Sequence, residues 1–336
     1  MFRIEINNER DLHSFLSLND GEYIDVFLKD GSSTLVANNK ELFAMITLET
    51  IAIDEPSDIS VRFPRKLLDD LLVEGHILAN VTETKVELRF FEKFENTLEL
   101  ACAVDFPRQE TWAASYTEKL QLITALDKTN EIALPELSNL IKVGNVFKSF
   151  ITCSNGIACT NISNNCKVFK RLNSLINFSA SASALSVIQK VSNILYVYKN
   201  YVWAQRGALF VICTMVRDNS CDSYKIIQEE KSSFKAKVDL RYLQKFINKV
   251  KTDEDLITLD LDKQQSEMNV SSKHFIIPIM VKNLQKALQD KPSTFAISRE
   301  VLDIITRLGC NKPIDVSNKR TFVQLDMDET MLVFRS

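Results

Sequence analysis

The chain has 336 residues, 45% of them hydrophobic and 25% charged, with a formal net charge of −3. That length holds two or three domains with separate cores, and the mild acidity excludes a simple basic protein that coats nucleic acid, leaving uneven charge as the route to DNA contact. No apolar run approaches the ~20 residues of a membrane-spanning helix and Met1-Phe2-Arg3-Ile4-Glu5 lacks a signal core, so a cytoplasmic protein without membrane contact is expected.

Six short strands, each running directly into a helix-patterned segment, are predicted at 2–6, 59–63, 131–134, 175–178, 234–238 and 295–297. Their spacing, 44 to 72 residues, is too irregular for a solenoid. Further strands are predicted at 23–28, 86–91, 97–101, 195–203, 209–215, 257–261 and 322–325, with turns at Gly31-Ser32, Asn155-Gly156, Arg206-Gly207 and Asn318-Lys319.

The helices are predicted in the same order. The first spans 8–18, with Asn8 as N-cap and Leu12, Phe15 and Leu16 on one face. The second, 64–73, opens on proline, whose missing N–H costs nothing in the first turn, and offers Leu67, Leu68, Leu71 and Leu72. The third, 135–147, carries Leu137, Leu140, Ile141 and Val143, with Gly144 as an early stop. Segments 183–191, 239–250 and 298–308 complete the set, the last two capped by Asp239 and Ser298. Their stripes are Leu240, Leu243, Phe246 and Ile247, and Val301, Leu302, Ile305 and Leu308.

Each repeat reads β-α-β-β-β. The fold class is therefore α+β: three similar domains, each a duplicated unit with two helices on one side of antiparallel sheet. The domains are set at 1–115, 116–228 and 229–336, with connections near 106–128 and 218–233.

Candidate chemistry is sparse. The seven cysteines form no C-x-x-C pair, so reduced and mostly buried thiols are expected. His13, His76 and His274 share no metal-ligand spacing, and no phosphate-cradling or nucleophile-elbow motif is present. Asp69/Asp70 and Asp326/Asp328 read as solvated faces or turns. No catalytic site, metal site or cofactor is predicted, and the chain is not read as an enzyme.

At this point the residues resemble the bacterial sliding clamp, the beta subunit of DNA polymerase III. The phrase Ala103-Val104-Asp105-Phe106-Pro107 followed by Trp112 is similar to the A-x-D-F-P-x-x-x-x-W that closes the first domain of that family. Residues 221–228, Cys-Asp-Ser-Tyr-Lys-Ile-Ile-Gln, resemble the phrase F-P-D-Y that closes the second, with no proline at 222 or 228. The family phrase T-D-G-H-R-L appears only as residues 163–168, Ser-Asn-Asn-Cys-Lys-Val, and Phe334-Arg335 replaces a methionine-proline. The resemblance is to a divergent member, of phage or plasmid type.

It implies a DNA sliding clamp: a head-to-tail homodimeric ring around double-stranded DNA, gripped without sequence preference. Polymerase and clamp loader would dock through a short hydrophobic peptide. The groove carried over from the family involves Ser163, Lys167, Val168, Ile227, Gln228, Leu332, Val333 and Phe334. The ring-interface candidates are Leu98, Leu100, Phe246 and Val250. The alternatives are a non-ring, clamp-like accessory or decoy that binds replication partners, and an enzyme with an unrecognised site.

Charge counting tests the ring independently. The six helix windows sum to +4, leaving −7 for everything else. A basic inner wall holds a polyanion without reading bases. The DNA-facing candidates are Lys142, Lys148, Lys190, Arg241, Lys245, Lys249, Lys251, Arg299, Arg307 and Lys312. The first two windows are each −1 and do not share the bias.

Overall fold

A computed structural model describes the chain except residues 8, 19–20, 39–40, 55–57, 70–74, 95–96, 110, 112–122, 124, 127, 231, 240–255, 263–266, 272–275, 286–293, 309–312, 320 and 336. The repeat is written through it. First come β1 (Phe2–Ile6), α1 (Glu9–Ser17), β2 (Tyr23–Leu28), β3 (Gly31–Asn38) and β4 (Leu42–Ala52). The second repeat is β5 (Ile59–Pro64), α2 (Arg65–Asp69), β6 (Gly75–Val81), β7 (Lys85–Phe94) and β8 (Thr97–Pro107). The third is β9 (Glu131–Ala133), α3 (Leu134–Val146), β10 (Phe150–Ser154), β11 (Ile157–Ser163) and β12 (Cys166–Arg171). The fourth is β13 (Phe178–Ser181), α4 (Ala182–Val191), β14 (Ile194–Tyr198), β15 (Tyr201–Arg206) and β16 (Leu209–Thr214).

A 3-10 turn, Ser220–Asp222, and α5 (Ser223–Glu229) then lead to the fifth repeat, β17 (Ser232–Val238), β18 (Leu256–Asp262), β19 (Glu267–Ser271) and β20 (Ile276–Gln285). Of the predicted helix 239–250, residues 240–250 fall outside the described residues, as do Asn8, Leu71 and Leu72. The sixth repeat is β21 (Thr294–Ser298), α6 (Arg299–Arg307), β22 (Ile314–Lys319), β23 (Val323–Met327) and β24 (Thr330–Phe334).

Two compact units result. The first comprises 1–134 and 187–215, the second 135–186 and 216–336, so residues 116–228 contribute to both. Each is built on one twelve-stranded antiparallel sheet. The path of the first is β8-β7-β6-β1-β4-β16-β15-β14-β9, with β2 joined to β3 and β5, and β3 joined to β4. The second runs β13-β10-β11-β12-β24-β23-β22-β17-β20-β19-β18-β21.

Helix faces pack as their apolar spacing dictates. Leu12, Phe15 and Leu16 of α1, Leu137, Leu140, Ile141 and Val143 of α3, and Val301, Leu302, Ile304 and Ile305 of α6 are buried. Ser298 caps α6, its Oγ accepting from the Val301 N–H at 3.2 Å. Asn155 (φ 51°) and Gly156 (φ 77°) make the β10–β11 hairpin turn, where both central residues need positive φ.

Several expectations are corrected. The fourth repeat's first strand begins at Phe178, and Leu175 is 78% exposed, because strand pairing with β10 starts only at Phe178. The run 195–203 is two strands, since Lys199 adopts φ 50° and Tyr198 pairs with Tyr201. Gly31-Ser32 opens β3, and Asn318-Lys319 ends β22. Gly144 does not stop α3; it lets α4 approach, since a Cβ there would lie 2.8 Å from Ala182 Cβ. The connection 218–233 carries secondary structure of its own, the 3-10 turn and α5. Asp326 is not a fully solvated carboxylate: it is half-buried, accepts from Gln324 Nε2 at 2.8 Å, and burial pushes its carboxyl up.

Candidate functional surfaces

Strand alternation decides which side chains of β12 and β24 share a face, since successive residues point to opposite sides. Phe169 pairs with Met331 and Lys167 with Val333. On this face Cys159, Phe169, Cys221, Ile227, Met331 and Val333 form one buried cluster, with Ile157, Tyr224 and Phe322 packed against it. The connector is tied down by polar contacts. Lys167 Nζ donates to Ser223 Oγ at 3.2 Å, Arg171 Nε donates to Tyr224 Oη at 3.0 Å, and Gln228 Nε2 lies 3.0 Å from Met331 Sδ.

Buried Lys319 donates to the Ile227 carbonyl, with its ammonium 5.6 Å from the centre of the Phe322 ring. Burial draws that ammonium below the usual lysine range, while Asp326 and Glu230 oppose the shift. A buried amine bonded to a helix-end carbonyl fixes the connector where it crosses the sheet.

Four of the predicted groove residues therefore come together: Lys167, Ile227, Gln228 and Val333. Val168 and Leu332, which pair with each other, alternate to the opposite face and are fully buried, as is Phe334 opposite Cys166. Ser163 is exposed at the end of β11. The sequence reading missed Phe169, Tyr224, Met331 and Lys319. Period-two alternation through Lys167, Phe169 and Arg171 was the signal that could have found Phe169.

Among the DNA-facing candidates, Lys142, Lys148, Lys190, Arg299 and Arg307 are exposed. Lys148 follows α3 with φ 51°, and Arg307 Nε pairs with Asp303 of its own helix at 2.9 Å. Arg241, Lys245, Lys249, Lys251 and Lys312 lie outside the described residues, as do Phe246 and Val250 of the interface set.

The fourth strands of the repeats follow a pairing rule. The first five residues of β4 pair antiparallel with the first five of β16, from Leu42–Cys213 to Ile46–Leu209. The first five of β12 pair likewise with β24, from Cys166–Phe334 to Lys170–Thr330. The second and fourth positions are apolar at the first junction, Phe43 and Met45 facing Ile212 and Phe210, and apolar but for Lys167 at the other, where Phe169 faces Met331 and Lys167 faces Val333.

Two fourth strands remain. Among the described residues β8 pairs only with β7, and residues 276–280 of β20 pair only with β19. Leu98 and Leu100, second and fourth in β8, are 49% and 55% exposed, and Ile276, which opens β20, is 73% exposed. A cleft of about 450 Å³ beside the start of β8 is lined by Arg3, Glu5, Asn7, His76, Lys93 and Leu98, among others. His76 stacks on Phe91 there, 4.8 Å between ring centres.

Comparison with solved structures places this architecture. The DNA polymerase III beta subunit of Pseudomonas aeruginosa superposes with a TM-score of 0.69 at 10% identity, covering 100% of this chain and 99% of that one. The DNA polymerase sliding clamp of Caulobacter crescentus gives 0.70 at 10% identity, covering 99% and 98%. The fold is that of a sliding clamp. The beta subunit of Streptococcus pyogenes DNA polymerase agrees, at 0.69 and 10% identity over 99% and 98%. No family model and no curated protein sequence matches the chain. Among the described residues of this clamp fold, no helix is long and apolar enough to cross a membrane.

Proposed function

We propose that the chain is a processivity clamp: two copies joined head to tail encircle duplex DNA and tether a polymerase, with no chemistry of their own. The repeats pair into domains 1–115, 116–228 and 229–336, and six such domains close the ring.

The observation that carries this reading is the pairing rule of the fourth strands. One chain uses it twice and leaves β8 and β20 over, so the third junction joins the 97–101 segment of one copy to the 276–280 segment of the next. Leu98 and Leu100 take the positions held by Phe43 and Met45 at the first internal junction. The exposed isoleucine and leucines lose their water contact there, the usual driving force of such an interface.

The exposed cations Lys142, Lys190 and Arg299 on helices, and Lys148 just after α3, line the DNA side. Arg307 contributes less, since Asp303 already neutralises it. Partner peptides with hydrophobic anchors bind at the apolar face of β11, β12 and β24, where Lys167, Ile227, Gln228 and Val333 meet. Polymerase and clamp loader are the partners this chemistry suits.

Retention on DNA tests the function. The clamp stays on nicked circular duplex after loading and slides off once the circle is cut. Release that is indifferent to cutting would overturn topological linkage and favour a non-ring accessory.

A further inference from the structure

Two thiols, Cys159 and Cys221, share the buried cluster beneath the connector between β16 and β17. Cys221 sits in the 3-10 turn, its Sγ 3.1 Å from the Thr152 carbonyl and 3.4 Å from that of Ile157. Thr152 is the register partner of Cys159, so Cys221 lies over the middle of the β10–β11 ladder. Cys159 and Cys221 pack there with Phe169, Ile227, Met331 and Val333. Cys153, the residue after Thr152 in β10, alternates to the other face of the sheet and is buried, its thiol pushed up by that burial.

We propose that Cys159 and Cys221 close to a disulfide under oxidation, fastening the Ser220–Glu229 connector across the face of β11, β12 and β24. The two differ in reactivity. Hydrogen bonding with Cys159 draws the Cys221 thiol down, against burial and the nearby Asp218 and Asp222. The same contact, with burial, pushes Cys159 up. Cys221 also lies on the short connector, where local opening brings it to solvent, while Cys159 is fully buried in mid-sheet. Cys221 is therefore the attacking group and Cys159 the resolving one.

With a low-molecular-weight disulfide such as oxidised glutathione as oxidant, the Cys221 thiolate attacks one sulfur of the reagent. The reagent S–S bond breaks and one glutathione thiolate leaves, taking up the proton lost from Cys221. Cys159, deprotonated by solvent as the turn recloses, attacks the Cys221 sulfur and expels the second glutathione. Two protein thiols lose two electrons and two protons, and the reagent gains both. Buried Cys159 meets only what Cys221 carries, so the product is intramolecular.

The covalent step stands apart from the clamp reading; its consequence for partner access rests on it. The full chain is equilibrated in glutathione buffers from reducing to oxidising, denatured, alkylated and mapped by mass spectrometry. The expected product is lighter by about 2 Da and contains a 159–221 cross-linked peptide absent from Cys159→Ser and Cys221→Ser. Both thiols alkylating freely after oxidation, or a 153–221 link instead, would overturn the proposal. Trypsin cleavage after exposed Lys225 should slow at least about tenfold on oxidation, and unchanged cleavage would refute the fastening. If cleavage slows while a short hydrophobic peptide binds both forms equally, the latch stands and the peptide-groove reading fails.

Discussion

Arg206 Nε donates to Asp11 Oδ1 at 2.7 Å, joining the end of β15 to the first helix across 195 residues of sequence. The same guanidinium reaches Ser14 Oγ at 2.6 Å and the Arg10 and Lys190 carbonyls at 3.4 Å. Asp11 is buried and Arg206 only partly so. The contact braces the β4–β16 junction from the helix side, where Phe43, Trp203, Phe210 and Ile212 brace it from the other elements.

Replacing Arg206 by Met should leave the buried Asp11 carboxylate without its guanidinium. A cost of about 3 kcal/mol is expected, the low end for a broken buried pair because Arg206 retains some solvent. Arg206→Lys should lose about 1–2 kcal/mol, since one ammonium cannot reproduce the fork to Asp11, Ser14 and the carbonyls. Urea midpoints of the three proteins give both values, and equal loss in Lys and Met would mean that charge is not what holds the contact.

Gly144 sets two effects against each other. Alanine is favoured over glycine inside a helix by about 1 kcal/mol. Its Cβ, however, would lie 2.8 Å from Ala182 Cβ and 3.0 Å from Ser149 Oγ, whose hydroxyl bonds Thr160 Oγ1 at 2.7 Å. Overpacking against a backbone-anchored methyl wins, and Gly144→Ala should destabilise by about 1–2 kcal/mol net. A stabilised variant in thermal unfolding would show that α3 and α4 have room to part.

Ser298→Ala removes the oxygen that accepts from the Val301 N–H. A loss of about 1 kcal/mol is expected, and Ser298→Asp should recover it because a carboxylate also suits a helix N-terminus. Thermal midpoints of the two variants check the pair.

His76 makes stability depend on acid. Burial first, then Arg3, holds its imidazole below the ordinary value of 6.5, with Glu5 opposing. The folded chain thus takes up the proton less readily than the unfolded one, so stability is complete above about 6.5 and falls as pH drops toward the folded value. His76→Gln should lose less stability than the wild type between pH 7.5 and 5.5 (about 10-fold excess of protons per unit). An identical acid loss in both would clear His76 of the effect.

Much of the fold was legible because each repeat pairs local signals. Ser298 announces α6, and Leu12, Phe15 and Leu16 announce the buried face of α1. Where sequence reading slipped, a backbone torsion or a sheet partner decided. Lys199 at φ 50° breaks an apolar run that composition alone leaves whole, and Leu175 looks like strand until its lack of a partner is seen. The candidate groove residues divide for the same reason. The phrases around 167 and 332 lie on two paired strands, but register sends Val168 and Leu332 to the face opposite Val333. Lys319 was invisible, since only the tertiary fold brings its amine to the Ile227 carbonyl.

The mass of the particle in solution tests the ring most directly. Light scattering on the purified chain at micromolar concentration should give twice 38.3 kDa. Leu100→Asp and Ile276→Asp, each on an exposed residue of a fourth strand that pairs with no other fourth strand among the described residues, should each reduce it to 38.3 kDa with an unchanged circular dichroism spectrum. A wild-type chain that stays at 38.3 kDa under those conditions would contradict the ring and leave a clamp-fold accessory protein in its place.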